Sequence, residues 1–423
     1  TSGSIGALVA PFTKGPVEEA QLIESEEDLL QTFGQPYSVD KHYEYWMVAS
    51  SYLAYGGTLQ VVRADDFNTA TGVGLKNAFV GSASSIRIKS DTHYNQLGYD
   101  ENTITGVTIA SKTPGTYANG IRVSIIDAKA DQILTVSSGN VTVGTAVTQT
   151  AVGRIVAGSA GTSVLDGYVK GIVTGGSATT IDVKVVSHVS AAGAETNVNY
   201  QNGGVYNFTS TGTVGLTTAG QAVTATGQSK TYTQQQDWFE QQNIVLTSTD
   251  ANGNPIKLEW DALADAPGTS SYAAARGGRF DEVHVVVIDD KGLVTGNTGT
   301  ILEKHLSLSK AKDGEYSVGS TSYWRKYLAT NSKYIYGGSA PIGITTTGYS
   351  TSSTNTLDSD SGWDQDASGV NFGASGVFTG SLGGGTNYGG AADYTTSGAL
   401  NSGVDDLITG YTLFENTEEI EVD

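Results

Sequence analysis

Cysteine is absent from the 423-residue chain, so it can form no disulfide, thiolate nucleophile or cysteine-ligated zinc or iron–sulfur site. That leaves the compartment open, because a protein can do without cysteine in either redox environment. Basic residues are few: 23 Lys and Arg against 43 Asp and Glu give a formal net charge of −20. Such a charge opposes attraction to nucleic-acid phosphates or anionic lipid, so no direct nucleic-acid contact is expected. No run approaches the ~20 apolar residues that span a bilayer, and no basic region precedes an apolar stretch at the N-terminus, so no membrane insertion is expected. The chain opens on Thr1 rather than methionine, so the natural N-terminus is expected upstream. Proline is scarce at 7 residues while glycine reaches 55, a balance that favours a β-rich protein with many turns. At about 150 residues per domain, two or three domains are expected.

The opening segment reads as a strand over residues 4–10, ended by Pro11 and the Gly15-Pro16 turn. Ser25 with Asp28 three places on is a weak capping box for a helix whose apolar side is Leu29, Leu30 and Phe33, stopped by Gly34 and Pro36. A second helix over about 41–55 sets Tyr45, Val48, Ala49, Tyr52 and Leu53 on one face and ends at Gly56-Gly57. Leu59 to Arg63 is the next strand, so the first sixty or so residues read as strand, helix, helix, strand.

The order Gly15-Pro16-Val17, Phe33-Gly34, an aromatic-rich helix, Gly56-Gly57 and Val61-Val62-Arg63 resembles the N-terminal region of contractile phage tail sheath proteins. Pro114-Gly115-Thr116-Tyr117-Ala118-Asn119-Gly120 before the strand from Ile121 resembles that family's turn-and-strand signature. A third block is similar to the middle domain of sheath proteins from T-even-like phages: Ala266 to Ser270, Asp281 to Asp289, Leu306 to Lys310 and Tyr334-Ile335-Tyr336. By pattern, Glu282 to Asp289 is a central strand, Asp290-Lys291-Gly292 a turn, Thr300 to Leu308 the returning strand, and Tyr323 to Ala329 a short helix packing Trp324, Tyr327 and Leu328. Leu382-Gly383-Gly384-Gly385-Thr386-Asn387 followed by a helix-like Val404 to Phe414 resembles the entry to the sheath core.

Residues 132–230 match no sheath subdomain. The alternation Ile181-Asp182-Val183-Lys184-Val185, Val-Thr pairs and Gly/Ser turns indicate an antiparallel barrel or sandwich inserted between Ile126 and Asp237-Trp238-Phe239. It reads as a surface domain without a specific ligand, with host-surface or glycan adhesion as the other reading. The fold class expected is α+β, multidomain and β-rich: a discontinuous α/β base from 1–64 plus 396–423, a mixed middle domain from 65–130 plus 232–340, the inserted β domain at 131–231, and a Gly/Ser-rich loop at 341–395.

Chemistry-bearing patterns are few. There is no phosphate-binding G-x-x-x-x-G-K-[ST], no G-x-S-x-G elbow and no H-E-x-x-H pair. His42, His93, His188, His284 and His305 are scattered singly, and His188 and His284 lie in strand-like runs as structural histidines. Asp358, Asp360, Asp364 and Asp366 alternate as calcium ligands can, but the glycine and glutamate of an EF-hand loop are missing, so a solvated loop is the default reading. Asp405-Asp406 and Glu418-Glu419 are adjacent pairs whose side chains diverge. No catalytic residue, cofactor-binding residue or metal ligand is assigned, and no cofactor is expected.

The resemblance implies a structural, non-enzymatic protein of the virion, made in the host cytoplasm. Its partners would be further copies in six-fold helical rings joined through terminal arms, the tail tube protein, and the baseplate and tail terminator. It implies that the arms and most of the core lie outside this chain, so these 423 residues are expected to stay monomeric in solution. An extracellular β-rich adhesin or surface-layer protein would share the composition but not the ordered blocks. A polysaccharide-degrading enzyme, the third reading, would need convergent carboxylates in a groove.

Overall fold

A computed structural model describes residues 4–36, 43–67, 72–129, 243–278, 280–341, 363–370, 372, 375–388, 403–416, 420 and 422, with the backbone of strands between 132 and 228 and at 348–349 and 357–358. The N-terminal part holds β1 (Ile5–Ala10), β2 (Ala20–Ile23), α1 (Glu26–Phe33), α2 (Tyr43–Ala54) and β3 (Thr58–Arg63). β3 is central: β1 lies parallel to it, Ile5 opposite Thr58 through Ala10 opposite Arg63, and β2 lies antiparallel on its other side. Parallel strands need a long crossover, and the two helices supply it. Ser25 caps α1 by accepting the Asp28 N–H, three acids in the first turn face the positive end of the helix dipole, and Gly34 at φ +83° closes it.

Three expectations here need correction. β2 was not foreseen, because a four-residue strand containing Gln21 is too short to show a period. Leu30 of α1 is exposed, with Leu29 and Phe33 alone on the buried side. On α2 the buried residues are Trp46, Ala49 and Leu53, while Val48 faces solvent. That helix is apolar nearly all round, so spacing could not choose its face. The choice follows from Trp46, whose indole N–H donates to the Gly34 carbonyl at 2.9 Å.

The middle region begins with β4 (Phe79–Gly81), α3 (Asp91–Gln96), β5 (Val107–Ser111), a 3-10 turn at Thr116–Gly120 and β6 (Ile121–Lys129). Next come β7 (Gln132–Ser138), β8 (Ala146–Gln149), β9 (Ile155–Ala157), β10 (Ser163–Leu165), β11 (Tyr168–Gly176), β12 (Thr180–Val189), β13 (Glu195–Asn197), β14 (Gly204–Val205), β15 (Thr213–Leu216) and β16 (Ala222–Gln228). Their pairings are antiparallel, and the order β11-β8-β15-β16-β7-β12 closes on itself through β11–β12. Between the barrel and sandwich alternatives, this ring is a barrel. The side chains of this stretch, His188 included, and all of Asp237-Trp238-Phe239 lie outside the described residues.

The chain continues through β17 (Asn243–Thr249), β18 (Pro255–Glu259), α4 (Ser271–Ala275), β19 (Glu282–Asp289), β20 (Thr300–Ser309), β21 (Glu315–Ser317), β22 (Ser320–Thr321), α5 (Trp324–Asn331), β23 (Ile335–Gly337), β24 (Gly348–Tyr349), β25 (Leu357–Asp358), β26 (Ser375–Ser381) and α6 (Val404–Tyr411). The principal sheet runs β20-β19-β6-β26, and a second runs β23-β5-β4. β19 is buried on both faces. Val283, Val285 and Val287 meet Trp324 and Leu328 of α5 on one side, while Val286 and Ile288 meet Ile244, Leu246 and Trp260 on the other. This double cover explains why Val283–Ile288 is apolar apart from one histidine.

The expected loop at 341–395 is corrected over part of its length. β26 pairs with β6 along its whole run, and Trp363, Phe372, Leu382 and Tyr388 are buried. A strand in which Ser, Gly and Thr surround only Val377 and Phe378 carries little β signal, and at Gly380 a small residue is required: a Cβ there would stand 2.8 Å from Val80. The short turn expected after Asp289 is also longer. The Asp289 carboxylate accepts the N–H groups of Leu293, Val294 and Thr295, which shapes the chain up to Gly299.

Next to the barrel's exit from β6, the fully buried Lys310 ammonium meets the fully buried Asp127 carboxylate at 2.6 Å and donates to the Phe280 carbonyl at 2.9 Å. A pair this dry adds little net stability, yet breaking it strands a charge. Lys310→Met alone is expected to destabilise the protein by about 3–5 kcal/mol, and Lys310→Met with Asp127→Leu to recover most of that loss, as read from urea-unfolding midpoints.

Candidate functional site

The N-terminal sheet meets the middle region around Arg63, the last residue of β3, whose side chain is fully buried. Its Nε donates to the Phe12 carbonyl at 3.0 Å, and Nη1 donates to Gly15 at 2.9 Å and Pro114 at 2.7 Å. The guanidinium also lies 5.9 Å from the Tyr388 ring centre, and the Tyr388 hydroxyl donates to the Ala64 carbonyl at 2.7 Å. Arginine cannot shed its proton in a protein, so carbonyl dipoles meet the buried charge here. One cation thereby joins the turn after β1, the Pro114-Gly115 turn and the segment behind β26. Gly115 sits at φ +143°, and a Cβ there would approach the Thr13 carbonyl oxygen to 2.6 Å, so the close fit of the two turns requires glycine.

Ion pairs rim this junction. Arg87 pairs with Asp65, and Lys89 pairs with Glu18 and, at 3.1 Å, with Asp65. Burial alone would raise the Asp65 carboxyl, but the Arg87 guanidinium, with Lys89 behind it, holds it below its ordinary value. Asp406 of α6 moves the other way: burial raises it, and the negative Asp65, Asp405 and Glu18 add to the effect although the Gly403 N–H opposes it.

Beyond the junction, the N-terminal sheet is covered on both faces by helices that keep apolar residues on their outer sides. α1 and α2 pack one face through Leu29, Phe33, Trp46 and Leu53, while Leu407 of α6 joins Val9, Val17 and Val62 on the other. Outward lie Met47 and Val48 on α2, and Val404, Ile408 and Tyr411 at i, i+4, i+7 on α6, the last three 72%, 57% and 45% exposed. Contiguous apolar faces of this kind mark contact surfaces. Among the described residues β1 and β2 also have their outer edges unpaired.

The residues singled out from sequence do not converge. His284 accepts the Ser307 N–H at Nδ1 (2.8 Å) and lies 2.7 Å from the Asp265 carbonyl at Nε2, so both ring nitrogens are engaged within the fold. His305 contacts Glu303 at 2.9 Å, and His93 Nδ1 accepts the Lys89 N–H at 3.1 Å. Asp364 accepts from the Tyr323 hydroxyl and the Trp324 indole, while Asp366 stands 3.6 Å from Lys312. His42, Asp360 and Glu418-Glu419, and the Asp358 side chain, lie outside the described residues. Among the described residues no group of three or more histidines and acids could hold a metal, and no helix is long and apolar enough to cross a membrane. The sequence reading passed over Arg63 except as part of a motif; its signal was a cation closing a buried strand immediately before an alanine.

Because Asp65 has a lower pKa folded than its unfolded value of about 3.9, its contribution to stability is complete above that value and is lost as pH falls through the folded one. Asp65→Asn is expected to cost about 1–2 kcal/mol at neutral pH and to flatten the fall in thermal midpoint between about pH 5 and pH 2, as read by calorimetry across that range.

No family model matches the chain. Over 69 residues, 16% of its length, it is 41% identical to the tail sheath protein of Enterobacteria phage T4, of which the match covers 10%. Among solved structures it is similar to the sheath tail protein Lin1278 from Listeria innocua, at 13% identity and a TM-score of 0.19, over 54% of this chain and 33% of that one. The chain thus spans about a tenth of the length of the curated relative and a third of the solved one, and its likeness to tail sheath proteins is local.

Proposed function

We propose that this chain is a structural part of a contractile phage tail sheath of the T-even type, polymerised around the tail tube and contracting to drive the tube through the host envelope for genome delivery. The observation that carries this reading is the 69-residue stretch at 41% identity to a tail sheath protein. The N-terminal sheet supports it: helices with apolar outer faces on both sides and unpaired strand edges suit a body packed among neighbours. Copies would repeat by heterologous contacts in six-fold helical rings, with the tube protein inside and the baseplate and tail terminator at the ends. Contraction would be rigid-body movement from a metastable lattice to a shorter, wider one, with no covalent chemistry. A charge of −20 suits a protein that never touches the genome directly.

Within this reading 1–64 plus 396–423 belong to the core domain and 65–130 plus 232–340 to the middle domain, with 131–231 an outward insertion. Residues 375–388 join the middle domain, since β26 extends its principal sheet. Deleting 132–230 with a short linker is expected to leave one cooperative unfolding transition for the remainder, and loss of cooperativity would refute the domain division. For the function, immunogold labelling of virions with antibody against this chain should decorate the tail along its length in extended and contracted particles. Label confined to fibres or to the head would overturn the sheath reading, and label on fibres would favour an adhesin.

A further inference from the structure

The middle region carries a groove remote from the Arg63 junction, between α4 and the hairpin β21–β22, with a volume of about 480 Å³. Its walls combine aromatic faces, hydroxyls and a few charged groups. On one side Arg276 stacks its guanidinium 3.5 Å from the Tyr272 ring centre and donates to the Tyr272 carbonyl, which fixes a flat fork of remaining donors. On the other, Tyr316 is half exposed and held at two points: its hydroxyl donates to the Leu306 carbonyl at 3.1 Å, and its ring meets Tyr327 edge-on. Burial pushes the Tyr316 phenol up to about 12, with Tyr327 and Glu282 adding to the shift, and Glu282 lines the same groove.

Two features of the lining stand apart from ordinary strand and hairpin packing. Ser322 is 2% exposed, and its hydroxyl has no hydrogen-bond partner. Buried hydroxyls are nearly always satisfied, and one left unpaired beside a groove is a donor and acceptor held in reserve. Ser307 has φ +53°, a conformation that residues other than glycine seldom adopt. It lies where the pairing of β19 with β20 slips by a residue, between Val283 and Val285, and the His284 ring fixes its N–H. Bulges and left-handed residues cluster where a surface is shaped for a ligand.

The geometry points to this groove as a glycan-binding cleft. Tyr316 offers a fixed aromatic face to the C–H side of a sugar ring, while Ser307, Ser322, Glu282 and the Arg276 fork offer hydroxyl partners. A polyhydroxylated, uncharged ligand suits a lining in which Arg276 is set against Glu282 and Glu315, since neither a polyanion nor a polycation would find its charge matched. The role does not depend on the sheath reading, because it rests on residues outside the N-terminal sheet.

Titration calorimetry of the whole chain with hexasaccharides of glucose, N-acetylglucosamine and rhamnose tests it. At least one should bind saturably in the micromolar to millimolar range, as one pre-formed cleft permits. Tyr316→Ala should weaken that binding roughly tenfold or more and Tyr316→Phe should restore it, apart from what the phenol contributes to holding the ring. Ser322→Ala should weaken binding without lowering the thermal midpoint, because the hydroxyl makes no hydrogen bond in the free protein. No saturable binding to any of the sugars, or equal binding by Tyr316→Ala, would overturn the proposal. So would self-association abolished by Tyr316→Ala, which would make the groove a contact between copies.

Discussion

Arg63 sets what the rest of the chain must do. Its cation is fully buried and donates its hydrogen bonds to carbonyls on Phe12, Gly15 and Pro114. Those carbonyls belong to turns a hundred residues apart, so each turn must present its backbone at the right angle and neither can drift without stranding charge. That explains the glycine at 115, the hydroxyl of Tyr388 tied to Ala64, and the ion pairs of Asp65, Glu18, Arg87 and Lys89 around the edge. A junction held by directional hydrogen bonds is fixed in angle as well as in distance, which apolar contacts alone are not.

A second constraint is the double burial of β19. With α5 on one face and the β17–β18 hairpin on the other, this strand must be apolar on alternate residues of both sets; its sheet partner β6 precedes the barrel in sequence, while β20 and both covering elements follow it. The barrel therefore interrupts a sheet without contributing to it. The fully buried charge pair of Lys310 with Asp127 lies where β6 leaves the sheet toward the barrel. Burying a matched pair there fixes the register of β6 against the chain around Phe280 and Lys310, a specificity that apolar packing alone would not supply.

The apolar outer faces of α2 and α6 and the groove beside Tyr316 are different kinds of surface. The helices expose large apolar residues on their outer sides, which suits a broad protein contact. The groove mixes hydroxyls, an arginine fork and one fixed aromatic ring, which suits a small polar ligand.

Sequence by itself determined the elements whose signal is local. Ser25 with Asp28 and Gly34 bracket α1, Gly56-Gly57 ends α2, and the valine run of β19 with its partner Thr300–Ser309 is legible because both periodicity and caps are properties of neighbouring residues. Only the tertiary structure decided which face of α2 is buried, since Trp46 needed an acceptor that Gly34 supplies from another element. It also decided that Ser375–Ser381 is a strand, because Gly380 is there to fit against Val80 rather than to favour a turn. Arg63 and the Tyr316 groove were illegible for the same reason. Their partners lie far away in sequence, and a side chain's role is set by the carbonyls, rings and hydroxyls that folding brings to it.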